Sequence, residues 1–393
     1  MNGAGDWLLL PRPREIDHLG GEGPPVDAEP RTERSDVLAP ECFTIDTSGT
    51  AAHVTHADAA GLRHARALLA QLRAQCDERL PRLRIADGPD FPVRGYMLDV
   101  SRDRVPTRAD LARLVGQLAL FRINHLQLYT EHTFAYRGHE PVWADASPMT
   151  AEDVRWLDAL CAEHGIELCA NQNTFGHMGR WLSHERYRDR AETPDGFTTR
   201  HGIEMSASCL APTPDNAHFA VGLCRELLAC HTSPRINIGC DETFELGRGA
   251  SAPAVAERGK ARVYLEHLKR LIGGLHAHGH PVLFWGDILR GHPELVSELP
   301  REDTIALAWH YEAPRRDAHL PAGIAEALEE LGIEMSAETL RGFGAHVASF
   351  EAAGLPFWVC PGTSTWNTLI GRLANARGNL LDAAEVGRDH GAS

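Results

Sequence analysis

Residues 94–130 read RGYMLDVSRDRVPTRADLARLVGQLALFRINHLQLYT. Two short apolar runs, at 94–100 and 124–130, flank an amphipathic segment at 107–121. Apolar runs of this length that are separated by helices are typical of parallel strands in a sheet covered by helices on both faces. The stretch therefore predicts a strand, a helix and a second strand parallel to the first.

The same unit recurs along the rest of the chain. Further strands are predicted at 166–173, 235–240, 281–287, 304–311 and 356–363, and further helices near 150–164, 214–231, 257–279, 323–331, 338–353 and 367–387. This repetition favours a (β/α)8 TIM-type barrel over a doubly wound sheet, and no GxGxxG motif follows the first strand to indicate a dinucleotide-binding fold. We expect the barrel to occupy residues 91–393.

The predicted barrel is one strand short. No eighth apolar run follows the last helix before Ser393, so we expect a barrel that lacks its last βα unit, with a gap between the strands at 94–100 and 356–363. Edge strands expose backbone groups that have no ladder partner, and the apolar interior opens to water. On this interpretation the chain is a truncated form that is aggregation-prone and has little activity until a downstream segment is restored.

A smaller α/β domain is predicted over residues 1–90. Its predicted elements are irregular chain or short strands over 11–40, a strand at 42–45, a partner strand at 53–55 and a helix over 58–80. The Pro, Gly and charged residues of the first segment indicate turns, and the helical spacing of apolar residues indicates the helix, for which Asp58 is a suitable N-cap.

Composition narrows the class of ligand. Thirty-nine Lys and Arg against 54 Asp and Glu give a net charge of −15, which disfavours nucleic acid or an anionic membrane as the main partner but not a neutral sugar. No apolar run is long enough to span a membrane, and the first residues lack the features of a secretory signal. Nine scattered cysteines without a CxxC pair indicate a reduced, cytoplasmic protein without a cysteine-based zinc site. No cofactor is expected.

The carboxyl ends of the predicted strands carry the candidate functional residues, because barrels of this type place their chemistry there. Polar groups alternate with Trp and Tyr at these ends, which suits a carbohydrate. Among the acidic pairs of the chain, Asp241 and Glu242 directly follow an apolar strand, whereas the pairs at 152–153, 302–303 and 329–330 do not. Crowding two carboxylates raises the cost of ionising both, so we expect one pKa in the pair to rise into the range of a general acid.

Four motifs resemble glycoside hydrolase family 20, the β-N-acetylhexosaminidases. RGYMLDVSR at 94–102 is similar to that family's first barrel strand, Phe175-Gly176-His177 to its Gly-His after strand three, and Gly239-Cys240-Asp241-Glu242 to its Gly-Gly-Asp-Glu signature. Strand two, LYTEHTF at 128–134, resembles the divergent branch that contains intracellular hexosaminidases. The chain departs from the pattern at Asn237, at Cys240 and in the absence of the family's eighth-strand segment.

The resemblance implies an exo-acting β-N-acetylhexosaminidase that removes terminal GlcNAc or GalNAc by a retaining, substrate-assisted mechanism through an oxazolinium. It implies that Asp241 orients the 2-acetamido group and balances its charge, and that Glu242 is the acid and base. It further implies that the substrate is bound by Arg94, Glu131, His177, Trp285, Asp287, Trp309, Tyr311 and Trp366, with no metal. Of these, Arg94 would hold the far hydroxyls, the three tryptophans would wall the acetamido pocket, and Tyr311 is a candidate donor to the acetamido oxygen.

Alternatives stay open at this point. A degenerate or truncated, inactive sugar-binding homologue would share the same motifs. A metal-dependent barrel hydrolase would use His177, Asp241 and Glu242, but the chain lacks an H-x-H or H-E-x-x-H pattern. The turn at 247–249 resembles a phosphate loop only in its glycines. The preferred epimer and the oligomeric state do not follow from the sequence.

Overall fold

The computed structural model of the protein describes residues 7–199, 202–315 and 339–393. The Cα positions divide the chain into two compact units. Unit 1 contains the described residues up to Tyr96 together with Ala109–His125 and Cys161–Ile166, and unit 2 contains Met97–Arg108, Leu126–Leu160 and the described part of Glu167–Ser393. The proposed domain boundary between residues 90 and 91 stays a prediction, and the helix predicted over 323–331 lies outside the described residues.

Unit 1 contains a five-stranded sheet with the order β1-β5-β3-β4-β2. Its elements are β1 (Glu15–Pro25), β2 (Arg31–Arg34), β3 (Phe43–Asp46), β4 (His53–His56), α1 (Ala59–Arg73) and β5 (Arg79–Asp87). The β3–β4, β3–β5 and β1–β5 pairs are antiparallel, and β2 pairs in parallel with β4. Buried side chains of the strands and α1, among them Phe43, Ile45, Val54, Leu68 and Leu69, form its core. The predicted small α/β domain and its β3–β4 pair are confirmed.

Helix α1 begins where the sequence predicts and ends earlier. The Asp58 carboxylate accepts hydrogen bonds from the backbone N–H groups of Gly61 at 2.8 Å and Glu41 at 2.9 Å, so it caps the helix and holds the preceding loop. The helix ends at Arg73, and the prediction that it extends to residue 80 is wrong. Leu80 continues the helical spacing by coincidence, because it lies in β5 and packs its side chain into the sheet core.

The second sheet has seven strands in the order β14-β13-β12-β11-β8-β7-β6. They are β6 (Gly95–Asp99), β7 (His125–Tyr129), β8 (Glu167–Asn171), β11 (Ile236–Asn237), β12 (Val282–Trp285), β13 (Thr304–His310) and β14 (Phe357–Pro361). Each falls within one of the seven predicted strands. Within the described parts of the chain, β6 and β14 are the two edges, as expected for a (β/α)8 barrel that is open at one place.

Helices separate the strands of this sheet. The long ones are α2 (Arg108–Leu120), α4 (Ala151–Glu163), α7 (Pro214–Leu228), α8 (Ala252–Arg258), α9 (Lys260–His276), α11 (Gly344–Ala353) and α12 (Leu373–Asp389). Short helices α3 (Glu140–Trp143), α5 (Gly179–Leu182), α6 (Glu185–Arg188) and α10 (Pro293–Val296), a 3-10 turn (Thr339–Arg341) and a hairpin of β9 (Phe197–Thr198) and β10 (Glu204–Met205) lie in the connections. The helix predicted over 257–279 is divided in two, because Gly259 between α8 and α9 adopts a positive φ of 84°.

The interior of the seven-stranded sheet is apolar. Cys169, Leu283, Trp285 and Leu307 form a buried cluster against which Trp309 and other half-buried side chains pack. All nine cysteines are free. In the described ranges, no helix combines the length and the apolar character needed to cross a membrane.

Candidate active site

The turn after β11 carries the two adjacent carboxylates. Strand β11 is shorter than predicted because Gly239, Cys240 and Glu242 have positive φ values of 67°, 74° and 50°. A side chain at Gly239 would collide with Asn173, and one at Gly176 would collide with the Asp241 carbonyl oxygen. The chain therefore leaves the extended conformation at once, and places both acidic residues at the carboxyl end of the sheet.

Buried hydrogen bonds hold this turn. The Asn237 side chain accepts the Gly239 N–H at 2.9 Å and donates to Gln127 at 3.0 Å. The Tyr264 hydroxyl donates to the Cys240 carbonyl at 2.8 Å, and the Thr174 hydroxyl donates to the Ile238 carbonyl at 2.7 Å. Left-handed residues other than glycine persist only where their surroundings determine them, and these bonds supply that constraint.

His177 joins three carboxylates. Its Nε2 lies 3.2 Å from Asp241 Oδ2 and 3.3 Å from Glu242 Oε2, and its Nδ1 lies 3.4 Å from Glu131 Oε1. These groups follow β7, β8 and β11, so the ends of three neighbouring strands meet at one imidazole. The structure thus brings together four of the predicted site residues.

Arg102 belongs to the same cluster, although it is not among the predicted site residues. Its Nη1 lies 2.9 Å from Glu131 Oε1 and 3.0 Å from Asp99 Oδ2, and its guanidinium lies over the Tyr129 ring at 5.1 Å. Its place just after the carboxyl end of β6 is the signal that could have identified it.

Arg94 is placed differently from the prediction. It precedes the amino end of β6, and its guanidinium donates to Glu41 at 2.6 Å and to the carbonyls of Arg122 and Phe91 at 2.8 Å. Because the side chain is held by these partners within unit 1, Arg94 is a structural ion pair here rather than a group left open for a sugar. The structure therefore does not bring Arg94 into the cluster around His177, whereas Arg102 belongs to that cluster.

Aromatic side chains extend the site. Trp309 stacks on Tyr311 with ring centroids 4.9 Å apart, and Tyr311 meets the edge of Trp366 at 4.7 Å. Trp285 is buried in the sheet interior. The indole nitrogens of Trp285 and Trp309, and the Oδ1 atoms of Asp241 and Asp287, are buried without a protein partner. Buried polar atoms are normally hydrogen-bonded, so these four atoms suit a polar ligand that satisfies them.

Comparison with known proteins gives the family. The model of "Glycosyl hydrolase family 20, catalytic domain" matches residues 91–322, more than half of the chain. The chain belongs to glycosyl hydrolase family 20. The resemblance stated from the motifs is confirmed.

Named relatives of this family-20 chain are hexosaminidases. It is 25% identical to Hexosaminidase D of Bos taurus over 181 residues, 44% of this chain and 49% of that protein. It is 25% identical to a beta-N-acetylhexosaminidase of Cellulomonas fimi over 284 residues, 65% of this chain and 56% of that protein. The matched regions span only 32% to 56% of the curated relatives.

Solved structures share the fold of the family-20 chain. A crystal structure of a beta-N-acetylhexosaminidase superposes with a TM-score of 0.68 at 19% identity, covering 90% of this chain and 73% of that one. A family-20 exo beta-N-acetylglucosaminidase from Vibrio harveyi in complex with N-acetylglucosamine superposes with a TM-score of 0.67 at 16% identity, covering 91% and 61%. These likenesses confirm the incomplete (β/α)8 barrel.

The electrostatics of the family-20 site follow from burial and charge. Burial lowers the pKa of His177, but Asp241, Glu131 and Glu242 outweigh burial and hold that pKa well above 6.5. Burial, with Asp241 acting in the same direction, raises the pKa of Asp287 to about 7. Burial also raises the pKa of Tyr311 well above 10. At neutral pH the imidazole is therefore a cation and Tyr311 keeps its proton.

The alternatives based on a metal or a phosphate find no support in the donor groups. Across the described residues, no group of three or more His, Cys, Asp or Glu side chains is placed to hold a metal ion. The turn at 247–249 already binds an anion of the chain itself, because the buried Glu192 carboxylate accepts the N–H groups of Gly247 at 3.2 Å and Gly249 at 3.1 Å. It also accepts the Ser251 hydroxyl at 2.6 Å.

Proposed function

We propose that this chain is an exo-acting β-N-acetylhexosaminidase that removes terminal N-acetylglucosamine or N-acetylgalactosamine from oligosaccharides and glycoconjugates. The observation that carries the proposal is that Asp241 and Glu242 lie on one turn and contact the same nitrogen of His177. A retaining glycosidase with its own nucleophile needs two carboxyl groups flanking the bond at about 5–5.5 Å. A pair on one turn suits substrate assistance instead, in which the 2-acetamido oxygen is the nucleophile.

Asp241 is suited to guide that nucleophile. Its side chain is 12% exposed, and its Oδ1 is buried without a partner. This oxygen is free to accept the acetamido N–H, which turns the acetamido oxygen towards the anomeric carbon. The carboxylate then balances the positive charge that develops as the ring of the oxazolinium closes.

Glu242 is suited to transfer the proton. Its side chain is 35% exposed, so it reaches both the leaving group and water more easily than Asp241 does. As the carbon–oxygen bond to the leaving group breaks, Glu242 donates its proton to that oxygen. It then takes a proton from the water that attacks the anomeric carbon, which reopens the oxazolinium and restores the acetamido group with net retention.

Arg102 and the remaining predicted residues suit binding of the sugar. Arg102 and Glu131 form a polar pair of the kind that holds hydroxyls, and Trp309, Tyr311 and Trp366 offer aromatic faces to the sugar ring. The named hexosaminidase relatives support this substrate class. We also propose a cytoplasmic location, supported by nine free cysteines, the state that reducing compartments maintain.

The test is turnover of chromogenic N-acetylglucosaminides and N-acetylgalactosaminides by the wild-type chain and by Glu242→Gln. General acid catalysis contributes about 10²–10⁴-fold, so kcat should fall by that range, and less for activated leaving groups. Glu257→Gln, an exposed glutamate on α8, is the matched control. A Glu242→Gln variant that handles poor leaving groups as well as wild type would remove Glu242 from this role.

Inhibition tests the substrate-assisted step separately. A thiazoline mimic of the oxazolinium should bind far more tightly than the plain sugar, because it resembles the species that the site stabilises. Equal affinity for glucosides with and without the 2-acetamido group would contradict the mechanism. In the part of the chain that the structure describes, β6 and β14 are unpaired edges of the sheet, which favours the sugar-binding homologue as second candidate. Binding of N-acetylglucosamine without turnover would select it.

A further inference from the structure

We propose that Asp287 is a positioning residue for Glu242, which it holds through the hydrogen bond from the Glu242 backbone N–H. This inference deepens the proposed function and rests on it. The resemblance implies that Asp287 binds substrate, whereas in the structure Asp287 has a protein partner on the turn that carries Glu242.

The contact acts on a residue with a strained backbone. Asp287 Oδ2 accepts the Glu242 N–H at 3.3 Å, and Glu242 has a φ of 50°. The Glu242 carbonyl is held as well, because it accepts the Phe244 N–H at 2.8 Å. Left-handed residues need such external constraints. The direction of the Glu242 side chain therefore depends on a bond that Asp287 supplies.

Asp287 itself stands on a rigid turn. It follows β12 by two residues, and Gly286 before it donates to the Leu307 carbonyl at 3.0 Å. A side chain at Gly286 would collide with the Phe350 ring, so the backbone packs directly on that ring. The Gly286 carbonyl accepts the N–H groups of Leu289 and Arg290 at 3.2 Å and 3.1 Å, which closes the turn.

The charge of Asp287 changes near neutral pH. Burial and Asp241 raise its pKa to about 7, against the opposing effects of the Glu242 N–H and Arg290. The ionisable groups that interact with it are Asp241, Glu242 and Cys240 on the β11 turn, Tyr264 on α9, Tyr311 after β13 and Arg290 on its own turn, which bonds to His346 of α11. Below about pH 7 Asp287 accepts the hydrogen bond without a charge, and above about pH 7 it accepts the bond as a carboxylate.

Two substitutions separate positioning from substrate binding. Asp287→Leu removes the acceptor at similar volume, and should lower kcat about 10- to 100-fold with KM changed by less than about threefold, because misplacement of a reacting group acts on the chemical step. Asp287→Asn keeps an acceptor oxygen without a charge, and should recover at least about tenfold of that loss. Asp145→Asn, at an exposed position outside the site, is the control.

The pH profile supplies a readout that loss of packing would not move. In wild type, kcat should change with an apparent pKa of about 7, and this inflection should vanish in Asp287→Asn. A Leu variant with wild-type kcat, a change confined to KM, or an inflection that persists in the Asn variant would each overturn the proposal.

A spectroscopic measurement keeps the test independent of activity. His177 Nε2 contacts Glu242 Oε2 at 3.3 Å, so the NMR titration of the labelled His177 ring reports where the Glu242 carboxylate lies. Its pKa should fall more in Asp287→Leu than in Asp287→Asn, even if the chain proves inactive. If wild type shows no turnover but the His177 titration shifts as stated, the proposed function fails and the positioning role stands. An unchanged titration in a folded Leu variant would contradict the positioning role itself.

Discussion

Two arginines lie at opposite ends of β6, and of the two it is Arg102 that lies in the cluster around His177. Arg102 follows the carboxyl end and shares Glu131 with His177. Arg94 precedes the amino end and forms an ion pair with Glu41, each side chain being 17% exposed. Residue type and motif position alone do not distinguish them.

We expect Arg102→Ala to lower activity and Arg94→Ala to lower stability. Arg102→Ala should lower kcat/KM about 10- to 100-fold, since hydrogen bonds from a charged group are worth roughly 1.5–3 kcal/mol. Arg94→Ala should lower the free energy of unfolding by about 2–3 kcal/mol, because it leaves Glu41 half-buried without its counter-ion. Kinetics and urea denaturation of both variants check this. A higher KM in Arg94→Ala alone would restore Arg94 as the sugar-binding arginine.

Cys240 stands where the signature that this chain resembles has glycine. Its φ of 74° is costly for a residue with a Cβ, by about 1–2 kcal/mol. Its thiol is fully buried and lies 3.4 Å from the Thr174 hydroxyl, so packing offsets part of that cost.

The stability of variants at Cys240 should depend on how well the new residue adopts a positive φ, and not on its hydrophobicity. Cys240→Gly should change the free energy of unfolding by less than about 1 kcal/mol, because relief of strain offsets lost packing, while Cys240→Val should cost about 2 kcal/mol or more. The same pair at Cys224, buried inside α7, should show the reverse order, since glycine is unfavourable in a helix. Chemical denaturation of the four variants decides the matter. A shared order at both positions would show that strain at residue 240 is unimportant.

At the scale of elements, the segment that follows Asp241 and Glu242 is held in place by the side chain of Glu192. Its side chain is fully buried, and it binds the backbone of Gly247, Gly249 and Ser251. Glu245, on the same segment, is buried too and binds Thr193 and Ser208. The carboxylates of Glu192 and Glu245 thus join the loop region after β8 to the loop region after β11.

Replacing Glu192 should destabilise the protein strongly. Glu192→Ala leaves several buried N–H groups without acceptors, and each unsatisfied group costs about 1–3 kcal/mol, so we expect a loss of about 3 kcal/mol or more. Glu192→Gln should cost less, because one acceptor oxygen remains. Glu185→Gln, at an exposed position on α6, is the control for urea denaturation. Equal stability of the Ala variant and wild type would show that water replaces the carboxylate.

For the whole molecule, buried ionisable groups set the pH range of stability. The pKa of Asp287 is raised from 3.8 to about 7. Asp287 therefore stabilises the folded state fully below about pH 3.8, and this contribution is lost as the pH rises through about 7. His177, with a raised pKa, likewise contributes below 6.5 and loses its contribution above. Burial lowers the pKa of His64 and His310 to about 4 and that of His267 to about 3. These three histidines stabilise the folded state above about pH 6.5, and this stabilisation is lost as the pH falls towards their lowered pKa values.

The free energy of unfolding should therefore be greatest at about pH 6.5 to 7. His267 tests the acid side, because both its ring nitrogens are buried without a protein partner. His267→Leu should gain about 1–2 kcal/mol more relative to wild type at about pH 5 than at about pH 8, since it removes a group that the unfolded chain protonates first. Urea denaturation across this range measures the difference. An equal change at both pH values would mean that His267 is charged in the fold.

How far the sequence predicts this molecule depends on how each element is buried. The seven strands of the larger sheet were predictable because each is a short apolar run between helices, and the five inner strands are mostly buried on both faces. Strand β1 was not, because most of its residues are exposed and its pairing with β5 is interrupted by irregularities between His18 and Pro25. Exposed, irregular strands carry no hydrophobic pattern.

The site was predictable where a motif meets a strand end. Asp241, Glu242, His177 and Glu131 met that condition, and the structure brings them together. Arg94 also belongs to a motif, but it precedes the amino end of β6 and pairs with Glu41, so the structure does not bring it to these residues. The left-handed turn and the bond from Glu242 to Asp287 depend on packing between distant segments, which spacing along the chain does not encode.

The buried carboxylate of Glu192 has a consequence for the environment in which this protein works. An anion site whose ligand belongs to the chain cannot be diluted, washed out or exchanged, because the effective concentration of the ligand is set by the backbone. The segment that follows Asp241 and Glu242 therefore keeps its shape whatever phosphate or sulfate the solution contains. Buffer anions cannot take the place of Glu192, because its carboxylate already accepts the N–H groups of Gly247, Gly249 and Ser251.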